Sequence, residues 1–171
     1  MTSSMTLTQQ LSVNKPVTFR GASQNVVLSG SAAVTSGLLL NSGASGSTVR
    51  DIAFRGFSGD AIRVTSATGI SIAGIRALNS GNGLSINGGS TGTVVQGSTF
   101  DRNLTGIRLT NVTNALVGGT AAGQGNVISN SSREGIYATG FCTNTKLVKN
   151  TFPGTTKKYN VSTSRGITVV N

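Results

Sequence analysis

Few residues of this 171-residue chain could carry out acid–base chemistry. Its carboxylates are Asp51, Asp60, Asp101 and Glu134, and it contains no histidine, the commonest general base and metal ligand. No Asp-Asp or Asp-x-Asp cluster is present to hold calcium, and neither a Gly-x-Ser-x-Gly elbow nor a phosphate loop occurs. Cys142 is the single cysteine, which we interpret as a small core or loop residue. We therefore expect no metal and no cofactor.

Arginine and tyrosine side chains form a second set of candidates, because they recur at one place in a repeated pattern. Arg63, Ser85, Arg108 and Tyr137 each occupy the third position of a tetrapeptide that reads small, apolar, variable, apolar. A guanidinium group binds carboxylate or sulfate through two parallel hydrogen bonds, and a tyrosine ring can stack on a sugar ring. These residues are therefore suited to an acidic sugar chain.

The tetrapeptide occurs six times in the chain. The first apolar residues of successive copies are separated by 24, 22, 23, 29 and 31 residues, and recurrence at this period is the mark of a solenoid. The two apolar positions alternate with an outward one, as a strand requires. The six copies are residues 37–40, 61–64, 83–86, 106–109, 135–138 and 166–169.

Two further strands are predicted in each coil, and glycine, serine, asparagine and threonine fill the corners between strands. The second strand carries one inward β-branched residue, at Val49, Ile72, Val95, Val117 and Val148. The third ends in a larger apolar residue, at Phe54, Ala77 or Leu78, Phe100, Ile128 and Phe152.

The sequence disfavours two other fold classes. No window of a dozen residues has helical apolar spacing, and glycines interrupt the chain throughout. An antiparallel sandwich also has short strands and many turns, but it gives no reason for one pattern to return every 22–24 residues. We predict an all-β fold, a parallel β-helix of about six to seven coils of 22–31 residues.

Two motifs carry a resemblance to a known superfamily. The small-Ile-x-Val tetrapeptide, followed by Val-x-Gly-x-x-Phe-x-x-Asn from Val95 to Asn103, resembles the right-handed, single-stranded parallel β-helix of pectate-lyase-like proteins. Residues 117–120 and 125–129 resemble a repeat of large bacterial surface and secreted proteins of that class. The resemblance covers residues 13–171 and implies the fold. Its members include lyases, hydrolases, phage tailspikes and adhesins, so the fold leaves the activity open.

The whole chain, residues 1–171, is predicted to be one β-helix domain. Residues 1–15 are an N-terminal cap or a first imperfect coil. Two coils are longer than the others, through an insertion at residues 118–125 and a longer loop at residues 153–165. Insertions in a solenoid tend to lie on one side, often the binding side.

The outward residues of the tetrapeptides should form a column, with a shelf of Gly and Ala beside it. We predict a glycan-binding face at Arg63, Ser85, Arg108 and Tyr137, with the two arginines about 10 Å apart. Lys157, Lys158 and Tyr159 in the longer loop are candidates for further contacts. The complete outward column is predicted to be Leu39, Arg63, Ser85, Arg108, Tyr137 and Thr168.

The carboxylates argue against the activities that the resemblance implies, since hydrolases of the superfamily use clustered aspartates and its lyases use calcium-binding acidic residues with a basic catalyst. Asp60 and Glu134 occupy equivalent positions three coils apart, hence about 14 Å from each other. A glycosidase pair needs roughly 5–10 Å. Catalysis is therefore the secondary hypothesis, and no catalytic residue is assigned.

The leading functional hypothesis is a non-catalytic module of an extracellular or surface protein, bacterial or phage, that is structural or binds acidic glycan. The alternative is a polysaccharide lyase or hydrolase acting on an acidic polysaccharide, with Arg63, Arg108, Lys157 or Lys158 as basic catalyst. The formal charge of +10 suits an acidic polysaccharide or an anionic surface. Further repeats or a subunit are expected at the C-terminal end.

The composition also bears on nucleic-acid partners, on membrane spans and on the location of the protein. No nucleic-acid partner is expected, because aromatic residues are not interleaved with the basic ones. No apolar run reaches the length of a membrane span. We expect an extracellular or cell-surface location, although no signal peptide is visible at the N-terminus.

Overall fold

The computed structural model describes residues 3–21 and 26–171, so residues 1, 2 and 22–25 of the predicted domain lie outside the described residues. The described residues form eighteen β-strands and one short 3-10 turn, Ser42–Ala44. The strands are β1 Ser3–Thr6, β2 Leu11–Val13, β3 Thr18–Arg20, β4 Val26–Ser29, β5 Leu38–Leu40, β6 Thr48–Arg50, β7 Ala53–Arg55, β8 Asp60–Thr65, β9 Ser71–Ala73, β10 Arg76–Leu78, β11 Asn82–Asn87, β12 Val94–Gln96, β13 Thr99–Asp101, β14 Thr105–Thr110, β15 Leu116–Gly118, β16 Val127–Ser129, β17 Glu134–Val148 and β18 Tyr159–Val170.

The strands stack into three parallel faces that the chain visits in turn. The first face holds β2, β5, β8, β11, β14 and the start of β17, and the second holds β3, β6, β9, β12, β15 and the end of β17. The third face holds β1, β4, β7, β10, β13 and β16, and β18 pairs along β17. The result is a parallel β-solenoid of about seven turns, which confirms the predicted fold class.

The apolar tetrapeptide positions lie over one another on the first face, as predicted. The register pairs Leu38 with Ile62, Ile62 with Leu84, Leu84 with Ile107 and Ile107 with Ile136. All five side chains are fully buried. Burying one such side chain stabilises the fold by about 1.5–3 kcal/mol, so this column is a large part of the core.

The prediction that the sixth tetrapeptide continues the first-face column is wrong. Ile136 pairs with Tyr159, only 23 residues further on, whereas residues 167–169 pair with Thr145, Lys146 and Leu147 on the second face. Buried residues alternate along the second face as they do along the first, so the pattern alone did not tell which face the last copy occupies. The longer loop predicted at residues 153–165 is accordingly shorter, because β18 begins at Tyr159.

The outward column changes with this correction. Thr168 pairs with Lys146 on the second face and is not part of the first-face column. The residue that follows Tyr137 in that column is Asn160.

The other two inward columns match the prediction to within one residue. Leu147, and not Val148, continues the second-face column after Val117. Of the alternatives on the third face, Ala77 pairs with both Phe54 and Phe100 and is fully buried, whereas Leu78 is partly exposed.

Buried asparagines join the coils at the corners. Asn126 donates its side-chain amide to the carbonyl of Val95 and to Asn150 Oδ1, both at 2.9 Å, and its own Oδ1 accepts the backbone N–H of Ser98 at 3.0 Å. Asn150 in turn donates to the carbonyl of Val117 at 2.9 Å. These side chains satisfy backbone groups that the bend between two faces leaves without a strand partner.

We expect Asn126→Ala to lower the free energy of unfolding by about 3 kcal/mol, because a buried N–H and a buried carbonyl lose their partner. Asn14→Ala is the matched control, since Asn14 is exposed and its loss should change stability by no more than about 0.5 kcal/mol. Urea unfolding of both variants measures the difference, and equal effects would contradict this account of the corners.

Candidate functional site

Four of the predicted site residues share one column on the first face. The register pairs Arg63 with Ser85, Ser85 with Arg108 and Arg108 with Tyr137. Each strand advances the column by about 4.8 Å along the solenoid axis. The structure thus brings these side chains together in the predicted order.

The predicted shelf of small residues beside this column is not on the surface. Ala61 is fully buried, and a Cβ added at Gly83 would lie 2.7 Å from both the carbonyl oxygen of Gly106 and the ring of Phe100. Small residues occur at this position because the chain bends there against the core. The shelf is therefore a packing requirement and cannot contact a ligand.

One arginine of the column already has a carboxylate partner. Arg63 Nε lies 2.5 Å from Asp60 Oδ2, and Asn82 donates its side-chain amide to Asp60 Oδ1 at 2.7 Å. Asp60 is only 3% exposed, whereas the Arg63 side chain is 44% exposed. The charge of Arg63 is largely neutralised, and the cluster presents hydrogen-bonding groups rather than a free cation.

The other arginine stacks on an aromatic ring. The guanidinium carbon of Arg108 lies 5.4 Å from the centre of the Tyr137 ring, within the range of a cation–π interaction. Within the described part of the chain, Arg108 has no carboxylate at ion-pair distance. Its charge is available for an anionic ligand.

A shallow open groove of about 350 Å³ runs between the two arginines. Asn82 and Asn87, which the sequence analysis missed, contribute polar side chains to its lining. Ser85 lies between Arg63 and Arg108 in the column and is only 4% exposed, so it contributes little surface. The asparagines could have been found from their positions just before and just after a tetrapeptide.

The predicted loop contacts separate into two kinds. Lys157 and Lys158 are exposed, and Lys157 Nζ lies 4.0 Å from Glu134 Oε1. Tyr159 instead packs against the core, with its ring 4.8 Å from that of Phe152 in an edge-to-face arrangement, and its burial raises the pKa of its hydroxyl. Tyr159 is therefore partly buried against the core, unlike the two lysines.

The four carboxylates of the chain are distributed over different parts of the solenoid. Asp51 pairs with Arg20 and Arg50 near the second face, and Asp101 lies on the third face. Asp60 and Glu134 share one first-face column, separated by Asn82 and Thr105. Glu134 accepts two hydrogen bonds, one from Thr105 Oγ1 at 3.3 Å and one from Asn160 Nδ2 at 3.2 Å.

This arrangement provides neither a metal centre nor a glycosidase pair. Across residues 3–21 and 26–171, no group of three or more Cys, Asp or Glu side chains is placed to hold a metal ion. The register puts Asp60 and Glu134 about 14 Å apart, beyond the roughly 5–10 Å of a glycosidase pair.

The surroundings of Asp101 shift the pKa of its carboxyl group. Burial raises its pKa, but the hydrogen bonds that Ser129 and Asn130 donate, at 2.7 and 2.8 Å, together with the charges of Arg102 and Arg76, outweigh burial. The pKa of Asp101 therefore lies below its ordinary value.

A carboxyl whose pKa is lower in the folded state stabilises the fold above its unfolded pKa of about 3.9, and that contribution is lost as pH falls through the folded value. We expect Asp101→Asn to be less stable than the parent protein at pH 6, and the gap to shrink below about pH 4. Urea unfolding between pH 6 and 2 measures this. Ser129→Ala should show a smaller effect in the same direction, and a gap that does not change with pH would contradict the assignment.

Comparisons with known proteins agree with the observed fold. A family model described as a right-handed β-helix region matches residues 17–171, which confirms the predicted handedness. Among curated proteins, none has a sequence that matches this chain. Within the described residues no helix has the length and apolar character needed to cross a membrane.

Three solved structures share the fold. One is the catalytic domain of the GH87 α-1,3-glucanase variant D1045A in complex with nigerose, with a TM-score of 0.66, 11% identity, and coverage of 98% of this chain and 40% of that one. Another is the D1069A variant in complex with nigerose, with a TM-score of 0.63, 14% identity, and coverage of 87% of this chain and 34% of that one. The third is the D1069A variant in complex with tetrasaccharides, with a TM-score of 0.61, 15% identity, and coverage of 86% of this chain and 34% of that one. This chain thus spans between a third and two fifths of the length of those domains.

Proposed function

Because the chain belongs to the right-handed β-helix family, we propose that it is a non-catalytic module of an extracellular or surface protein whose first face binds an acidic glycan. The observation that carries this proposal is the stacked pair of Arg108 and Tyr137. It places an unneutralised guanidinium beside an aromatic ring on a rigid, in-register sheet. A sugar with a carboxylate or sulfate group can use both features.

The neighbouring groups support recognition of a sugar chain rather than of a simple anion. A carboxylate or sulfate would bind the Arg108 guanidinium through two hydrogen bonds, and the part of the Tyr137 ring that Arg108 leaves uncovered would contact the same or the next sugar ring. Towards the N-terminal end of the column, Arg63 and Asn82 offer hydrogen-bonding groups, and the buried Asp60 between them offsets the charge of Arg63. Such a cluster suits neutral hydroxyl groups.

The structural comparisons support a glycan as the class of partner. The three solved structures are catalytic domains of a glucanase, in complex with nigerose or tetrasaccharides. At 11–15% identity this likeness concerns the fold, and fold alone does not give function. The acidic character of the proposed ligand rests on this chain's own charge of +10 and on Arg108.

We expect Arg108→Gln and Tyr137→Ala each to weaken binding of an acidic polysaccharide by about tenfold or more, since tenfold corresponds to about 1.4 kcal/mol. The measurement is retention in affinity electrophoresis through gels containing polygalacturonate, alginate or a sulfated glycan. Arg55→Gln is the matched control, because Arg55 is exposed on the third face. Unchanged retention of both first-face variants would remove the proposed face.

A second candidate function is cleavage of an acidic polysaccharide, which the likeness to glucanase catalytic domains favours. In that case Arg63, Arg108, Lys157 or Lys158 would be the basic catalyst, because Asp60 and Glu134 are too far apart to act as a pair.

Incubation with polygalacturonate and alginate, with and without calcium, separates the two candidates. We expect neither ultraviolet absorbance from unsaturated products nor new reducing ends. Product release that is lost in the Lys157→Gln/Lys158→Gln double variant, with folding intact by circular dichroism, would replace the non-catalytic proposal.

A further inference from the structure

One aromatic side chain projects from a corner of the solenoid. Between the first and second faces, two residues separate Thr110 from Thr113, whereas three separate the equivalent Thr139 from Thr143. The extra residue brings Phe141 to the surface, where it is 66% exposed. It is the most exposed large apolar side chain of the described residues.

The backbone holds this residue firmly. Asn111 Oδ1 accepts the backbone N–H of Phe141 at 2.9 Å. Gly140 adopts a φ of +72°, a conformation that glycine takes without steric cost, and this lets the chain turn outward. The ring of Phe141 is thus presented from within β17 and not from a loop between strands.

An arginine accompanies this ring. Arg165 on β18 is in register with Phe141 on β17, and it is exposed. Together with Gly140 and Thr163 the two residues line a small cleft of about 230 Å³. Within residues 3–21 and 26–171, Arg165 has no carboxylate at ion-pair distance.

The same combination occurs twice on one strand. Tyr137 and Phe141 both lie on β17, four residues apart, and each is in register with an arginine of a neighbouring coil, Arg108 in one case and Arg165 in the other. Four residues of strand span at most about 13 Å. Thr139 is the one side chain between the aromatics that faces outward on the first face.

From this duplication we propose that Phe141 and Arg165 form a second subsite for an acidic sugar, and that the glycan crosses the solenoid along β17 instead of running along its axis. The inference rests on the proposed function of the first face. A path along the solenoid axis would offer fewer contacts to an acidic sugar, because Ser85 is buried and Arg63 is paired with Asp60. The path along β17 joins the two arginines that have both an aromatic neighbour and an unneutralised charge.

The test is calorimetric titration with oligogalacturonates and alginate oligosaccharides of two to eight sugars at constant ionic strength. For the parent protein we expect affinity to rise by about tenfold once the oligosaccharide is long enough to reach both subsites. Phe141→Ala and Arg165→Gln should abolish this rise and leave the affinity of the shortest bound oligosaccharides unchanged. Leu104→Ala, which removes another exposed apolar side chain, and Arg55→Gln are the matched controls and should retain the rise.

The outcomes separate this inference from the proposal beneath it. A rise with length that survives Phe141→Ala but is lost in Arg63→Gln would show an axial path and overturn the inference alone, provided that Tyr137→Ala still weakens short oligosaccharides. Absence of binding at every length would overturn the proposed function and this inference together.

Discussion

The structure depends on parallel hydrogen bonding between successive coils, which stack in register over most of their length. This bonding places each side chain about 4.8 Å from the equivalent side chain of the next coil. Like residues are therefore neighbours, which suits leucine and isoleucine in the interior and penalises like charges on the outside. The low content of charged residues, 11%, fits this constraint. So does the column in which Ser85 separates Arg63 from Arg108.

The fold was predictable from the sequence because the first-face column repeats within narrow limits of spacing and residue type. The prediction was less reliable where corners change length. A corner can lengthen by one residue, as at Phe141, or shorten in the last coil, where Arg165 pairs with Phe141 and Ile167 already pairs with Thr145. Such changes shift every later position along the chain but leave the alternation of apolar residues intact. The sixth tetrapeptide was assigned to the first face, whereas its residues pair with second-face residues of β17.

The candidate site was predictable as a column but not in its electrostatics. Sequence spacing gave Arg63 and Arg108 equivalent places, and nothing in the sequence indicated that only one of them has a carboxylate beside it. The bond between Asp60 and Arg63 spans a bend at the start of β8, and such geometry depends on the side-chain directions at that bend. Ser85 likewise was expected to face a ligand, and its burial follows from the size of its two neighbours in the column.

The in-register columns also affect how such a surface can change over generations. Duplication or loss of one whole coil, or rung, would move every later residue by one coil along the solenoid axis. It would leave the arrangement of side chains within each rung unchanged. The number of rungs and the chemistry of any one rung can therefore be altered separately. A side chain added at a corner, as Phe141 is here, widens a single rung, and the next strand accommodates it by a shift of register.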